Sequence, residues 1–397
     1  MQNTSISSTD SMVIHMMRFP LVCLVVIIHA FSLLKGWDPN NLHFFHLSGA
    51  DLYSYFGIAF SMTLAHIAVP TFFIISGFLF FYGLKSWDWK IYLTKLKKRV
   101  NTLLIPYLVW NTILILKTLV STRRIVDWWI EHNGIYMYYH ADEMVERINW
   151  LGSAGKFSFP ILVPMWYIRD LIILCLLSPI VYLMFYKERG ITSFIFLGLI
   201  VAVYITAIYP YIPGISPGPV LFFCVGAFLS LNNYSLTKVC RSVRVPSYII
   251  FFALWIPLIL FAGYKTATGN YIYPFFVMAG VVSFISLFVE AYLVNIRNKS
   301  VSAKKFIGFC RKYESDVFFI FAAHTFLLPY VDKILRKGCA FLSNTHLLML
   351  TDEFANSHPF LLIICYILKI FITIILCIII SNLIKPLTKV RCLLTGK

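Results

Sequence analysis

The sequence predicts an all-α polytopic membrane protein, a bundle of about ten transmembrane helices with cytoplasmic N- and C-termini. Three observations support this fold class. Of the 397 residues, 59% are hydrophobic and 13% are charged, with a mean hydropathy of +0.79. Soluble domains are about 45–50% apolar and about 25% charged. The apolar residues form runs long enough to cross a bilayer, and basic residues collect between these runs in a pattern that orients membrane helices. The composition excludes a soluble enzyme, a disordered chain and a small disulfide scaffold.

Ten apolar runs, bounded by polar or turn residues, define the predicted elements. Lipid-facing backbone must satisfy its hydrogen bonds internally, so each run is expected to be a helix. The first run is too long for the apolar region of a signal peptide, so we expect it to be retained. We predict one transmembrane domain over residues 1–397. Its spans lie near 13–34, 56–82, 103–120, 161–186, 191–209, 218–231, 246–264, 271–294, 315–331 and 359–384.

The net charge of +17 indicates membrane orientation. With the N-terminus inside, 22 of the 34 Lys and Arg residues fall on the cytoplasmic side, nine fall outside, and Lys117, Arg169 and Lys369 lie within spans. This alternation follows the positive-inside rule. It predicts cytoplasmic segments at 83–102 and 297–312 and an external segment at 121–160. Attraction to anionic lipid headgroups or ligands is the second interpretation of the charge, and nucleic acid is not expected.

Arg18 and His29 are the first candidate functional residues, since ionisable side chains within a bilayer are costly. They are eleven residues apart in the first span. On a helix this spacing places them on one face, about 20° apart in direction and about 16 Å apart along the axis. Arg18 is then at the cytoplasmic rim and His29 near or beyond mid-membrane. The plainer alternative is a positive-inside anchor and a core histidine bonded to a neighbouring helix.

Spans 2 and 4 add further polar candidates. Span 2 contains His66, then Pro70, which is expected to bend the helix, and Ser76 beside Gly77, which permits close helix approach. Span 4 contains Trp166 followed by Arg169 and Asp170. Adjacent helical residues diverge by about 100°, so these two need not pair with each other. A structural ion pair and a functional pair of charges both remain open.

Span 9 carries a second intramembrane histidine. Glu314 and Asp316 lie at its cytoplasmic rim, and His324 follows about two and a half turns deeper. His29 and His324 are therefore expected at similar depth. Two histidines at one level of a bilayer are harder to explain as core residues than one.

The ordered set of motifs resembles the acyltransferase-3 family of membrane acyltransferases. The resemblance covers nearly the whole chain, and it is the order and spacing of the motifs, rather than any single one, that is specific. The motifs are Arg18 with His29, VPTFFIISGF (69–78), KKRVNTLLIPYLVW (97–110), MWYIRDL (165–171), FFCVGAFLS (222–230) and FFIFAAHTFLL (318–328).

The resemblance implies transfer of an acyl group, usually acetyl from acetyl-CoA, to a hydroxyl of a glycan, lipid-linked sugar or antibiotic. It also implies that Arg18 and His29 are the essential Arg and His of the first helix, that Arg99 begins the basic cytoplasmic motif and that His324 is the histidine of a late helix. Thr102 stands where the family often has a second arginine. No esterase-like domain follows the last span, so the stand-alone form is expected.

The chemistry of the basic residues agrees with an acyl-CoA donor. The phosphates of acetyl-CoA need cations, and Lys95, Lys98 and Arg99, with Lys97 and Arg18, form an electropositive cytoplasmic rim. A neutral histidine in a low-dielectric cavity suits deprotonation of an acceptor hydroxyl. His29 is the candidate base, with His324 as a second catalytic residue. No metal is expected.

The sequence therefore favours an O-acyltransferase of the inner membrane, acting on a cell-envelope polysaccharide or a lipid-linked glycan. Its partners would be acetyl-CoA or another acyl-CoA, the glycan acceptor and the lipid bilayer. A transporter or flippase of lipid-linked sugars is the rival hypothesis, because it would also have many spans and buried charges. Transporters often carry inverted repeats, and no such symmetry is visible here. An accessory subunit without activity is a third possibility.

Overall fold

The computed structural model describes residues 7–34, 38, 47–84, 86–122, 160, 162–186, 190–208, 215–261, 266–298, 300–342 and 351–396. Every regular element within these ranges is helical, which confirms the predicted all-α class. Most of the predicted external segment 121–160 lies outside the described residues. In chain order the α-helices are α1 (Ser8–Ala30), α2 (Gly49–Gly57), α3 (Ala68–Phe81), α4 (Trp89–Arg99), α5 (Ile105–Thr122), α6 (Trp166–Leu176), α7 (Ser178–Phe185), α8 (Ile191–Thr206), α9 (Pro217–Leu231), α10 (Leu236–Ser242), α11 (Arg244–Leu260), α12 (Ala267–Asn298), α13 (Val301–Lys312), α14 (Val317–Leu342), α15 (Asp352–Ser357), α16 (Pro359–Ile384) and α17 (Thr388–Thr395).

The chain forms two compact units that are interleaved in sequence. The first unit comprises Met1–Asn3, Phe73–Asn233 and Leu383–Lys397, and the second comprises Thr4–Phe72 and Tyr234–Asn382. Each unit is described separately. Whether the whole chain acts as one transmembrane domain stays a prediction.

The protein is a multi-pass membrane protein by the length and composition of its helices. Within the described residues, six helical segments are long and apolar enough to cross a bilayer. Two bent pairs raise the number to eight if each pair is one crossing: α6 with α7, bent by 62°, and α9 with α10, bent by 108°. Helices α8 and α11 are apolar but shorter. The six segments are Thr9–Ala30, Gly49–Phe81, Trp89–Lys117, Ala267–Ile296, Val301–Gly338 and Pro359–Ile384.

Two charged segments that the sequence predicts between spans, 83–102 and 297–312, are largely helical. Helix α4 occupies most of 83–102, and α13 occupies most of 297–312. Helix α14 continues eleven residues beyond the predicted end of the ninth span, to Leu342. Exposed Lys and Arg side chains fit a helix whose polar face lies at the membrane surface, so these segments can stay helical without crossing.

The second predicted span is interrupted before Pro70. A wide turn with π-helical bonding covers Ile58–Thr63, and a tight 3₁₀ turn covers Leu64–Ile67. Pro70 itself lies in the first turn of α3, where its missing N–H leaves no hydrogen bond unmade. The carbonyl of Ala59 in the wide turn accepts from the Thr63 hydroxyl at 2.7 Å and from the Trp255 indole at 3.3 Å. The disturbance thus lies on the N-terminal side of the proline, and side chains satisfy a carbonyl within it.

Two glycines allow α3 and α9 to touch backbone to backbone within the first unit. A methyl group at Gly77 would overlap the carbonyl oxygen of Phe223, and one at Gly226 would overlap the Ile74 carbonyl oxygen and the Phe78 amide. Small residues at helix crossings are how membrane helices approach closely. The predicted role of Gly77 in close helix approach is visible here, with Gly226 as its counterpart.

Candidate functional site

Two histidines meet in the second unit. His29 lies in the last turn of α1, and His324 lies in the first half of α14. Their ring centroids are 5.2 Å apart and the ring planes are inclined by 37°. The structure therefore brings together the two residues that the sequence places at similar depth.

The two rings differ in access. His324 is fully buried, whereas the side chain of His29 is exposed. Nδ1 of His324 lies 3.1 Å from the carbonyl oxygen of Ile320, which can only accept. A neutral His324 therefore carries its hydrogen on Nδ1 and has a lone pair on Nε2. The exposed residue His29 thus lies in ring contact with a fully buried His324.

Buried polar atoms without partners lie beside this pair. Nε2 of His324 and the Thr325 hydroxyl have no hydrogen-bond partner among the described residues. Most buried polar side-chain atoms in proteins are paired, so such atoms call for an explanation. A ligand or a proton-transfer partner at the histidine pair would supply one.

The interrupted second span forms one wall next to α1. The Ser61 hydroxyl lies 2.5 Å from the carbonyl oxygen of Ile27, two residues before His29. The same hydroxyl lies 2.7 Å from the Tyr366 hydroxyl of α16. The His66 ring is further along the span, where its Nδ1 lies 2.8 Å from the Tyr273 hydroxyl. The wide turn thus fixes the C-terminal half of α1, which carries His29.

Arg18, the predicted donor-binding arginine, is held by an acid. Its Nη1 donates to Oε1 of Glu314 at 2.5 Å, and Nδ1 of His15 lies 2.6 Å from the same oxygen. Both Arg18 and Glu314 are only partly exposed. The Arg18 side chain therefore already forms an ion pair with the Glu314 carboxylate. A donor phosphate that binds Arg18 would have to displace this carboxylate or share the guanidinium with it.

The basic motif forms the last turns of α4 in the first unit. Lys95 donates to the carbonyl oxygen of Phe80, and its ammonium lies 5.4 Å from the centre of the Phe80 ring. Lys98 is exposed, and Arg99 is half-buried beside the Cys175 thiol. Among these three, Lys98 is the most accessible cation. Its carbonyl oxygen accepts from the Thr102 hydroxyl at 3.0 Å.

Arg169 and Asp170 pair with each other in the first unit. Nη2 of Arg169 lies 2.7 Å from Oδ1 of Asp170, and both side chains are buried. Ser216, just before α9, donates to the other carboxylate oxygen at 3.0 Å. The sequence left this pairing open because neighbouring helical residues diverge. The aliphatic part of the Arg169 side chain is long enough for the guanidinium to fold back onto Asp170. The pair forms because a buried carboxylate is stabilised by a cation beside it.

Ser76 and Trp166 lie near the same part of α6. The Ser76 hydroxyl is 3.4 Å from the Tyr167 hydroxyl. The Trp166 and Tyr167 rings lie 6.4 and 4.8 Å from the ring of Phe73, so the start of α6 packs on α3 through aromatic contacts. These contacts place both predicted residues in a packed interface of the first unit.

Sequence reasoning missed a charged group in the second unit. Nζ of Lys369 donates to Oδ1 of Asp332 at 2.7 Å and to the Ser32 hydroxyl at 2.8 Å. Arg336 donates through Nε to Oδ2 of Asp332 at 2.5 Å. The signal was present, because a lysine inside a span requires a partner. Its partners could not be identified without the fold.

Comparisons with known proteins show the family to which the chain belongs. The acyltransferase domain family, acyltransferase-3, matches residues 13–382, so the chain belongs to this family of membrane acyltransferases. The chain is 26% identical over 234 residues to the succinoglycan biosynthesis protein ExoH of Rhizobium meliloti (strain 1021). That similarity covers 57% of this chain and 56% of the relative, so only about half of the relative's length is matched. No solved structure matches the chain significantly.

Proposed function

We propose that this protein is an integral membrane O-acyltransferase that moves acetyl from acetyl-CoA to a hydroxyl of a cell-envelope polysaccharide or of its lipid-linked precursor. The observation that carries the proposal is the histidine pair. An accessible His29 ring lies 5.2 Å from the buried ring of His324. Membership of the acyltransferase family supports the reaction, and the name of the matched relative supports a polysaccharide acceptor.

In the proposed reaction, His29 acts as the general base. The acceptor oxygen attacks the carbonyl carbon of the acetyl thioester while the hydroxyl proton moves to the imidazole. The tetrahedral intermediate then collapses, the C–S bond breaks and an ester forms. The imidazolium returns its proton to the thiolate, which leaves as CoA thiol. The accessible ring of His29 suits contact with substrate, and His324 orients it or shares its proton.

Donor binding is proposed for the basic rim. Lys95, Lys98 and Arg99 at the end of α4 would hold the phosphates of CoA. Phosphate binding by Arg18 is a separate proposal, which rests on the family resemblance of its motif. Arginine suits this role because its planar fork binds phosphate through two hydrogen bonds. Binding of a donor phosphate to Arg18 would require its ion pair with Glu314 to open or to be shared.

We propose that the protein lies in the inner membrane of the cell, with both termini in the cytoplasm. Six candidate crossings and two bent pairs give up to eight crossings among the described residues. We propose that the two shorter apolar helices, α8 and α11, also cross, which would make ten. This number agrees with the ten apolar runs and with the predominance of basic residues on one side. The donor side would then face the cytoplasm, where acetyl-CoA is made, and the acceptor side would face outward.

The test uses the purified full-length protein in lipid nanodiscs with acetyl-CoA. We expect slow release of CoA thiol by the wild type, even without an acceptor. His29→Gln should bind acetyl-CoA but lose thiol release. Mass spectrometry of envelope glycans, with and without the protein, should show a loss of acetyl esters in its absence. A wild type that neither binds nor hydrolyses acetyl-CoA would instead favour a flippase of lipid-linked sugars.

A further inference from the structure

A charged cluster lies on the C-terminal side of both histidines in the second unit. We call Ser32, Asp332, Arg336 and Lys369 the outer charge cluster. It joins the segment after α1 to α14 and α16 through the three hydrogen bonds of Asp332 and Lys369 described above. The proposed mechanism makes no use of these residues.

The outer charge cluster has an excess of positive charge. Two cations, Lys369 and Arg336, share the carboxylate of Asp332, which leaves a formal charge of +1. The Lys369 side chain is 7% exposed and that of Arg336 is 33% exposed. Arg336 uses only Nε, and its two terminal nitrogens have no partner among the described residues. A guanidinium held at one edge with its fork free is suited to bind a carboxylate or a phosphate through two hydrogen bonds.

This free fork lies within reach of the histidine pair. Ser32, which accepts from Lys369, is three residues after His29, and three residues of chain span at most about 11 Å. Asp332 is eight residues after His324 on α14, a rise of about 12 Å. Asp332, which holds Arg336, is therefore about 12 Å along α14 from the level of His324. An acceptor anchored at Arg336 would have to extend over more than one sugar ring to reach the histidine pair.

A purely structural role for the cluster leaves Arg336 unexplained. One lysine and one aspartate suffice to join α14 and α16, and a second cation adds repulsion to the pair. In the proposed orientation the cluster also lies on the outer side, where basic residues are disfavoured. The extra positive charge of Arg336 is therefore better explained by binding of a negatively charged ligand than by the joining of α14 to α16.

We propose that the outer charge cluster binds an anionic group of the acceptor, and so presents a neighbouring hydroxyl to His29. The group is a carboxylate on a sugar or a phosphate of a lipid-linked precursor, since both match the guanidinium fork. Lys369 and Asp332 hold the fork in position. The inference rests on the proposed function, and it makes the enzyme selective for negatively charged acceptors.

The experiment measures binding of four probes to the full-length protein in nanodiscs of neutral lipid. Methyl glucuronide and methyl glucoside compare a charged with a neutral sugar. Farnesyl diphosphate and farnesol make the same comparison for a lipid-linked phosphate. The variant is Arg336→Gln, and the control is Lys337→Gln, which removes the same charge from an exposed neighbour on α14.

We expect the wild type to prefer one charged probe over its neutral partner, and added salt to weaken this preference. Arg336→Gln should reduce affinity for the charged probe about 10–100-fold, as expected for a lost charge-assisted pair. It should leave the neutral probe unchanged. Arg336→Lys keeps the charge but not the fork, so it should give an intermediate affinity. Lys337→Gln should behave as the wild type. The preferred pair of probes tells a sugar carboxylate from a lipid diphosphate.

Two results would overturn the inference: equal affinity of the wild type for charged and neutral probes, or equal losses in Arg336→Gln and Lys337→Gln. Release of CoA thiol from acetyl-CoA, measured on the same samples, separates this failure from failure of the proposed function. Wild type and Lys337→Gln should hydrolyse acetyl-CoA alike. Wild-type hydrolysis without discrimination between charged and neutral probes would refute the inference but leave the proposed function intact. A thermal melt of each variant shows whether a loss of binding is caused by unfolding. If Arg336→Gln unfolds, the affinity of Arg336→Lys for the charged probe is compared with that of the wild type instead.

Discussion

Substitution of Gly77 or Gly226 by alanine should strongly destabilise the first unit. The added methyl group would meet the Phe223 carbonyl oxygen in one case and the Ile74 carbonyl oxygen in the other. Overpacking typically costs about 1–3 kcal/mol. The neighbours here are backbone atoms of a facing helix, which cannot rotate away as a side chain can. We therefore expect each substitution to lower the free energy of unfolding by about 3 kcal/mol, the upper end of that range.

The assay is equilibrium unfolding of the purified protein in mixed detergent micelles, followed by circular dichroism. Gly198→Ala is the matched control, because no atom lies within 4 Å of a methyl group at this position in α8. Helix propensity alone should make that variant more stable by up to about 1 kcal/mol. The double variant of Gly77 and Gly226 should lose less than the sum, since one separation of α3 and α9 relieves both overlaps. Wild-type stability of either single variant would refute the close contact of these two helices.

Three further substitutions and one control, His66→Gln, test the predicted polar residues. His29→Gln should lower acyl transfer by a factor of about 10²–10⁴ without loss of acetyl-CoA binding. His66→Gln should leave the rate of acyl transfer unchanged in the same assay. Glu314→Gln should raise the affinity for acetyl-CoA by about tenfold because it frees Arg18 for a donor phosphate, a gain equal to one charge-assisted hydrogen bond. Calorimetric titration measures this affinity. Weaker binding by the variant would instead mean that Glu314 holds Arg18 in the position needed for the donor. Asp170→Asn should cost about 3–5 kcal/mol in detergent unfolding by leaving a buried arginine without its carboxylate, and an unaltered unfolding curve would contradict this.

The helical class and the depth of the histidines follow from local properties of the sequence. Composition and the length of apolar runs suffice for the class. His29 and His324 were placed by counting residues from the charged ends of their own spans. A count of this kind uses only the rise per residue, so it carries over to the folded protein.

The outer charge cluster and the Arg18 ion pair depend on contacts between distant parts of the chain. Lys369 meets Ser32, 337 residues away, and Arg18 meets Glu314, 296 residues away. Periodicity within one span says which residues share a face but not which helix that face meets. The pairing of Arg169 with Asp170 failed to follow from helix geometry for another reason, because the direction of Cβ does not limit the reach of a long side chain.

The interrupted span has a consequence for helical phase. The wide turn at Ile58–Thr63 encloses one residue more per hydrogen bond than a regular turn, and the tight turn at Leu64–Ile67 encloses one fewer. A turn with more residues per hydrogen bond winds through fewer degrees per residue than a regular α-turn. If one residue were deleted from the wide turn and the turn closed as a regular α-turn, the total winding would change little. The wide turn is therefore a place where the chain can change in length by one residue while the side chains that follow keep their faces.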